Sequence, residues 1–360
     1  WLFFVEHKKP SGVWIMSYTN GLDKPSDYFN TILWTGNGVD DRSISGVGFQ
    51  PDWVWYKERS STSAHKLYDA VRTATKELES NSNAAESTNA DALQAFETDG
   101  FQVGTHGSVN ENGQTYVAWN WKAGTSVSGD TTGSGTLKTY TGSVNTTSGF
   151  SIIKYTGNGT AGHTIPHHLG VAPSAIFVKK LNELGDWSSY HSVLGNAGYM
   201  RLNNTNAFAT ASTYWNNTSP TSSVFTTGTT GNINGSDSTY IAYCFTPIQG
   251  YSKFGSYNGN SNADGTFVYT GFKPAFVMVK MINGADDWQI LDNKRSPHNI
   301  VGGYLLPNSS SATINNDVID FTATGFKLRK TFGSWNHSSY QYLYMAFAEE
   351  SFVSSSGVPA

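Results

Sequence analysis

Three histidines form the most obvious candidate metal site in the sequence. His163, His167 and His168 lie in one short stretch, and imidazole nitrogens at such spacing can bind zinc or nickel. The same stretch contains Pro166, and no cysteine lies nearby to complete a ligand set. We therefore favour a polar loop and expect no metal site here.

A second candidate is the run from Asn258 to Gly265. Oxygen-bearing side chains occur there at alternate positions, as in a calcium-binding loop. The run contains a single carboxylate, Asp264, and Tyr269 stands where such a loop needs a bidentate glutamate. We favour a Gly/Asn hairpin turn, and we expect neither a metal nor a cofactor.

Aromatic side chains beside polar groups form a third group, since sugar-binding sites combine a stacking ring with a polar acceptor. Trp187 and Trp288 each follow an aspartate. Both occupy the same place in a repeated segment, so we favour buried structural tryptophans with turn-capping aspartates. Trp215 and Trp335, flanked by Asn and Ser, are the stronger candidates for exposed, ligand-binding rings.

Catalytic signatures are missing from the sequence. It contains no G-x-S-x-G elbow, H-E-x-x-H helix, phosphate-binding loop or C-x-x-C pair. Glycosidases need only two carboxylates at no fixed spacing, but no predicted strand contains an acidic residue that stands apart. Glu349 and Glu350 follow a strand, where exposed acids are ordinary. We expect a protein that is not an enzyme and has no catalytic residues.

The elements that must position these side chains repeat three times. In each copy a glycine stands three residues before a proline, a lysine follows the proline by six residues, and mostly β-branched or aromatic residues lie between them. This is the composition of a buried strand, and proline is tolerated at a strand's first position. We expect three equivalent proline strands, with Trp53, Ala175 and Phe276 in equivalent positions.

Each copy ends in a second strand, which we call the closing strand. The closing strands are predicted at Tyr116 to Trp121, Tyr240 to Phe245 and Tyr342 to Phe347. One alternate set in each is wholly apolar, such as Val117, Trp119 and Trp121, and should face the core. Asn120, on the other face, is expected to tolerate substitution.

The spacing of the copies predicts units of about ninety residues, the size of a self-contained β-sandwich. The expected fold class is all-β: three tandem antiparallel β-sandwich repeats of jelly-roll or immunoglobulin-like type, arranged as beads on a string. One short helix is expected in the first repeat, from Leu67 to Glu79. The expected boundaries are a partial repeat with a hairpin and connector at 1–33, repeats at 34–121, 155–245 and 257–352, linkers at 122–154 and 246–256, and a tail at 353–360.

Composition excludes several classes of function. Only 14% of the 360 residues are charged and the net charge is −4, so no basic surface favours nucleic acid. No apolar run approaches the roughly eighteen residues of a membrane span, and we expect no membrane insertion. Cys244 is the only cysteine, so stability must come from packing or from subunit association.

Several of these segments resemble a known family. The segments are GFQPDWVWYK at Gly48, NSNAAESTNADALQAFETDGFQVG at Asn81, YVAWNWKAG at Tyr116, GYSKFGSYNGN at Gly250 and GFKPAFVMVK at Gly271. They are similar to the repeat domain of tail-fibre-like virion structural proteins of bacteriophages, especially marine and cyanobacterial ones, over nearly all of 27–352. The resemblance implies a surface protein of the virion exterior and carries no catalytic residues.

We therefore expect a tail fibre, or a capsid fibre or decoration protein, that mediates adhesion to host-surface glycans or holds virion subunits together. The expected partners are other virion proteins, like chains in a homo-oligomer with a trimer as the first guess, and cell-surface carbohydrate. One alternative is a polysaccharide depolymerase of the tailspike type, although the repeat length speaks against its usual long β-helix. Another is a subunit of a non-viral extracellular filament or adhesin.

Overall fold

Antiparallel strands provide nearly all of the regular structure in the computed structural model of the chain. The structure describes residues 22 and 24–350, together with the backbone of residues 6–8 and 14–16. The expected tail at 353–360 lies outside these residues. Strands β1 (Glu6–Lys8) and β2 (Trp14–Met16) form the expected N-terminal hairpin, with Lys8 opposite Trp14. A single 3-10 turn, Pro25–Asp27, precedes the first unit.

The first unit contains a six-stranded sheet and a three-stranded sheet. Its elements are β3 (Phe29–Thr35), β4 (Arg42–Ser45), β5 (Trp53–Glu58), β6 (Lys66–Asp69), β7 (Lys76–Glu79), β8 (Ser87–Thr88), β9 (Leu93–Glu97), β10 (Gly100–Val103), helix α1 (Gly107–Asn110) and β11 (Thr115–Trp121). The main sheet has the order β3-β11-β5-β6-β7-β8, and the small sheet has the order β4-β10-β9.

The second unit has the same plan with two extra edge strands. Its elements are β12 (Thr125–Asp130), β13 (Thr132–Gly133), β14 (Thr139–Asn145), β15 (Phe150–Thr156), β16 (His163–Pro166), β17 (Ala175–Lys180), β18 (Ser188–His191), β19 (Gly198–Arg201), β20 (Ala209–Thr210), α2 (Ser212–Trp215), β21 (Val224–Thr227), α3 (Gly231–Asn234) and β22 (Thr239–Phe245). The main sheet has the order β12-β14-β15-β22-β17-β18-β19-β20, and the small sheet has the order β13-β16-β21.

In the third unit a long strand joins the two sheets. Its elements are β23 (Ser252–Asn258), β24 (Phe267–Tyr269), β25 (Phe276–Met281), β26 (Gln289–Asp292), β27 (Val301–Leu305), β28 (Ile314–Thr322), β29 (Gly325–Leu328), α4 (Gly333–Asn336) and β30 (Gln341–Phe347). The order is β23-β30-β25-β26-β27-β28-β29-β24, so β28 carries the chain from the main layer to the small one.

Strand register confirms the threefold repeat. The proline strands β5, β17 and β25 each begin opposite the last residue of their closing strand. The corresponding pairs are Trp53 with Trp121, Ala175 with Phe245, and Phe276 with Phe347. The predicted equivalence of Trp53, Ala175 and Phe276 is therefore correct.

Each main sheet is buried on both faces. The apolar alternates of the closing strands face an inner core, as predicted, and include Val117, Trp119 and Trp121. The other face packs against the small sheet of the same unit, and there Tyr116 and Ala118 join an outer core. Asn120 also lies on this second face and is fully buried. Its amide group donates to the Asn30 and Ala118 carbonyls. These contacts argue against the expected tolerance of Asn120 to substitution, which stays a prediction.

The inner faces of the three main sheets meet in one shared core. The Trp53 ring of the first unit lies 4.4 Å from the Tyr243 ring of the second, and Phe29 lies 5.4 Å from Phe347 of the third. The arrangement as beads on a string is therefore wrong. Each sheet has an apolar inner face that a separate bead would leave in water, and burial of that face drives the three units together.

The helix expected from Leu67 to Glu79 is replaced by strands β6 and β7 and a connecting turn. Its apolar residues matched a helical period, but Leu67 faces the shared core and Tyr68 the outer core, which is the alternation of a strand. Thr73 and Thr75 have positive φ angles in the turn. Burial on both faces overrides the helical pattern.

The linker expected at 122–154 instead contains strands β12 and β14 and the start of β15. These strands extend the second main sheet, and Tyr140 and Val144 pack into its outer core. The expected boundaries begin each unit at an aromatic residue, such as Trp34 in the first unit. In the structure this residue lies near the end of the first strand of its unit. For the same reason β23 begins inside the linker expected at 246–256, at Ser252.

Candidate functional site

Two of the predicted tryptophans join neighbouring units. Trp187 and Trp288 are buried, and their indole N–H groups each donate a 2.8 Å hydrogen bond to a carbonyl of the preceding unit, at Glu79 and Arg201 respectively. The favoured interpretation, a structural tryptophan, is confirmed. Asp186 and Asp287 accept hydrogen bonds from Asn203 and Asn308, which in turn hold the tryptophan backbones.

Trp215 and Trp335 are not exposed, so the prediction that they form a binding surface is wrong. Both side chains are at most 1% exposed and lie in the outer cores of the second and third units. Their polar neighbours gave a false signal of exposure. Beside Trp335, the amide group of Asn336 is itself buried and bonds to Asn260 and to the Lys330 carbonyl.

This buried asparagine recurs in all three units. Asn110, Asn234 and Asn336 end the short helices α1, α3 and α4. The Oδ1 of each accepts a backbone N–H from an asparagine in the Gly/Asn turn that follows β3, β15 or β23, namely Asn37, Asn158 and Asn260 respectively. A tyrosine nine residues after the helix's first glycine, Tyr116 in the first unit, donates to that glycine's carbonyl. The Gly/Asn turns are therefore structural locks.

The run from Asn258 to Gly265 belongs to this lock. Asn260 and Asn262 each accept a backbone N–H two residues ahead, and Asp264 pairs with Lys327. The oxygen atoms thus close a turn and do not converge on a common point.

The three histidines also point to separate partners. His163 contacts Asn234 and Thr131, His167 contacts the Thr221 carbonyl at 3.1 Å, and His168 contacts the Tyr140 hydroxyl at 2.8 Å; His163 and His167 are fully buried. Burial lowers the pKa of His167 to about 4, which keeps its imidazole neutral. Within residues 24–350 no three His, Cys, Asp or Glu side chains cluster to hold a metal ion.

Two of the three lysines that end the proline-strand motif form hydrogen bonds across the junctions between units. Lys179 donates to the Asn83 carbonyl of the first unit and Lys280 to the Thr205 carbonyl of the second. Lys57, at the equivalent position of the first unit, donates to the Ser61 carbonyl of its own unit. All three are fully buried, and burial lowers the pKa of each to about 8. These lysines bond to backbone and have no substrate-facing atoms.

Asp52 is a largely buried acid with a perturbed pKa. It lines a cleft between the first two units together with Ser126, Thr141 and Ser143. Burial raises the pKa of Asp52 to about 6, although its carboxylate accepts the Ala123 N–H at 2.8 Å. The cleft lining contains no second carboxylate, so it lacks the pair that glycoside hydrolysis requires.

An outward-facing aromatic pair distinguishes the third unit. Phe267 and Tyr269 on edge strand β24 are 47% and 60% exposed, while Val268 between them is buried against Phe326. Lys253 lies beside Tyr269, with its ammonium 5.0 Å from the ring centroid. We call Phe267, Tyr269 and Lys253 the aromatic patch.

Sequence reasoning missed this patch because TFVYT alternates like any strand. A comparison between repeats would have revealed it. The buried residues that match Val268 are Ile44 and Ile165, since both lie opposite an equivalent phenylalanine. Their outward neighbours are Ser43 and Ser45 in the first unit and Thr164 and Pro166 in the second.

Comparison with known proteins gives one match, to a family model. No curated protein matches the chain, and no solved structure matches it. No helix in the described residues has the length and apolar character to cross a membrane. One family model, described as a domain of unknown function, matches residues 24–351. This match spans both the shared core and the aromatic patch, and the chain belongs to the domain family DUF7483.

Proposed function

We propose that the chain is a structural protein of a bacteriophage virion surface, a tail fibre or a capsid fibre or decoration, that works without catalysis. It would adhere to host-surface glycans or hold virion subunits together. The observation that best supports this proposal is that buried polar side chains bond to the backbone of the protein itself. The buried lysines and tryptophan N–H groups bond to carbonyls, largely across unit junctions, as suits a rigid block.

The surface composition also fits the particle exterior. Charged residues make up only 14% of the chain, and glycine, serine, threonine and asparagine are abundant. Hydroxyl and amide groups keep such a surface hydrated without a strong field of either sign. Uncharged hydrogen-bonding groups also suit contact with carbohydrate hydroxyls.

A polysaccharide depolymerase is the main alternative. That activity requires two carboxylates within about 10 Å of each other across an accessible cleft. The cleft at Asp52 is lined by one carboxylate, and a second polar cleft near Asn315 is lined by one, Asp317. Incubation with capsular polysaccharide should release no new reducing ends. Release that disappears in Asp52→Asn would replace the adhesion proposal with an enzymatic one.

Association with like chains, with a trimer as the first guess, and with other virion proteins belongs to the same proposal. Many of the large aromatic side chains lie in the shared core of a single chain, so they are not available for contact with a second copy. Light scattering of the purified chain tests this part directly. A monomer would argue against a fibre and favour a decoration protein.

The decisive experiment is localisation on the particle. Antibodies against the folded domain, gold-labelled and imaged by electron microscopy, should decorate intact virions on the tail or the capsid. Label confined to a host filament would favour the non-viral adhesin, and absence of label from particles that contain the protein would place it in the interior. Either result would overturn the proposal.

A further inference from the structure

The first unit forms the edge equivalent to the aromatic patch without large rings. The first unit builds the same small-sheet edge with Ser43 and Ser45 in place of Phe267 and Tyr269, and the buried Ile44 between them supplies the packing. In the third unit Phe267 and Tyr269 are 47% and 60% exposed, and neither belongs to the outer core. Exposed aromatic residues that the fold does not need are candidates for ligand contact.

The two rings form one platform. Residues 267 and 269 alternate with buried Val268, so their side chains leave the same face of the strand, about 7 Å apart along it. The Phe267 ring extends over Gly325 of the neighbouring strand, where an added Cβ would lie 3.2 Å from its Cζ. The nearest atom to such a Cβ is the Val268 carbonyl oxygen, so the close pairing of the two strands requires glycine there, and the Phe267 ring lies beside it.

Of three basic side chains near the two rings, two form ion pairs with acidic residues and the third bonds to a backbone carbonyl. Lys327 pairs with Asp264, and Arg329 pairs with Asp320. Lys253 donates instead to the Tyr269 carbonyl, at 2.8 Å, and has no carboxylate partner in the described part of the chain. The partly exposed Lys253 ammonium, which lies beside the two exposed rings, is therefore available to pair with an anionic group.

We infer that the aromatic patch binds an acidic polysaccharide, with pyranose rings stacked on Phe267 and Tyr269 and a uronate carboxylate paired with Lys253. The C–H face of a pyranose carries partial positive charge and complements the negative face of an aromatic ring. Two rings along one strand suit a linear chain of sugars. This inference rests on the proposed adhesion function and names its ligand class.

Affinity electrophoresis of the full chain in gels containing alginate, polygalacturonate or neutral dextran tests the inference. The wild-type protein should be retarded by the two polyuronates. The variant Phe267→Ser/Tyr269→Ser, which copies the first unit, should keep its melting temperature within a few degrees and bind polyuronate at least tenfold more weakly. Lys253→Gln should lose the preference for polyuronate over dextran.

Ser43→Ala/Ser45→Ala, at the equivalent edge of the first unit, is the matched control and should bind as wild type does. Equal retardation of the wild type and the double serine variant, or no retardation by either polyuronate, would overturn the inference. Binding to a virion protein that requires the two rings, without binding to glycan, would also overturn it and assign a protein partner. Localisation on the particle is measured separately, so the inference and the proposed function can fail independently.

Discussion

The junction residues of the first and second units differ although the two units share a backbone plan. Asp69 and His191 occupy matching positions, each opposite the first residue of its proline strand. Asp69 forms a fully buried pair with Arg72 and accepts the Tyr243 hydroxyl at 2.7 Å. His191 forms no ion pair within the part of the chain that the structure describes; its Nε2 donates to the Tyr344 carbonyl at 3.4 Å.

The third unit clarifies what accompanies the ion pair. Asp292 pairs with Arg295 and accepts the Trp119 indole N–H at 3.0 Å. The residues that match Trp119 are Tyr243 and Met345, the middle residues of the other closing strands. The aspartate therefore occurs where the facing unit supplies a donor, and the histidine occurs where it supplies methionine. The fold requires the register and the apolar face but tolerates different polar chemistry at the junction.

Removal of one ion-pair partner should have the largest effect. Asp69→Ala leaves the Arg72 guanidinium buried with Glu86, at 3.2 Å, as its one acidic partner in the described residues, and should lower the free energy of unfolding by about 3–5 kcal/mol. Urea denaturation measures the change. The double variant Asp69→Asn/Arg72→Met, which removes both charges, should cost clearly less, and an equal cost would contradict this view of the junction.

Acid should weaken the junction of the second unit selectively. Burial lowers the pKa of His191 from 6.5 to about 4. The unfolded chain therefore binds more protons between these values, and stability present above pH 6.5 is lost as the pH falls toward 4. The loss from this residue is on the order of 2–3 kcal/mol.

His191→Gln should flatten that part of the pH profile of urea midpoints. His167 titrates in the same direction, and Asp52, with its pKa raised to about 6, titrates in the opposite one. Both are unchanged in the variant, so the difference between the two profiles isolates His191. Identical slopes between pH 6.5 and 4 would show that His191 does not carry the effect.

The donor across the junction should have a smaller effect. Trp119→Phe keeps most of the ring but removes the N–H that Asp292 accepts, and should cost about 1–3 kcal/mol. Met345→Leu, at the matching position of the third unit, removes no donor and should cost less than about 1.5 kcal/mol. If both variants unfold at the same urea concentration as the wild type, the indole N–H does not contribute to the junction.

The smallest effect is expected from the space left by Ala175. This residue stands where the other units have Trp53 and Phe276, and it lines an apolar cavity together with His191 and Met345. Ala175→Val should raise the free energy of unfolding by about 0.5–1 kcal/mol, as cavity filling commonly does. A lower melting temperature would show that the cavity cannot accept two more methyl groups without strain.

Much of the fold follows from local patterns in the sequence. Proline at the start of a strand and alternating apolar residues identified the repeats, and the equivalence of Trp53, Ala175 and Phe276 holds in the strand register. The patterns failed where two faces of one strand are buried. Around Leu67 both alternate sets are buried, and each contains a charged residue, Lys66 or Asp69. The polar/apolar alternation with a period of two is therefore absent, and the pattern predicts a helix instead.

The candidate site was less predictable than the fold. The flanking Asn and Ser residues suggested exposure of Trp335, whereas Asn336 is buried because three partners satisfy its amide. The aromatic patch escaped notice because exposure of Phe267 depends on which face of β24 the outer core covers. Neither property is encoded in the spacing of a single strand.

The sequence alone determined the number of units, the position of the proline and closing strands and the apolar set of each closing strand, because these depend on local backbone preference and on a period of two. Only the tertiary structure decided that the three sheets share one core, that Lys179 and Lys280 bond to junction carbonyls, and that Phe267 and Tyr269 remain exposed. These features depend on contacts between residues far apart in the chain, and burial of apolar surface selects such contacts without leaving a local periodic signal.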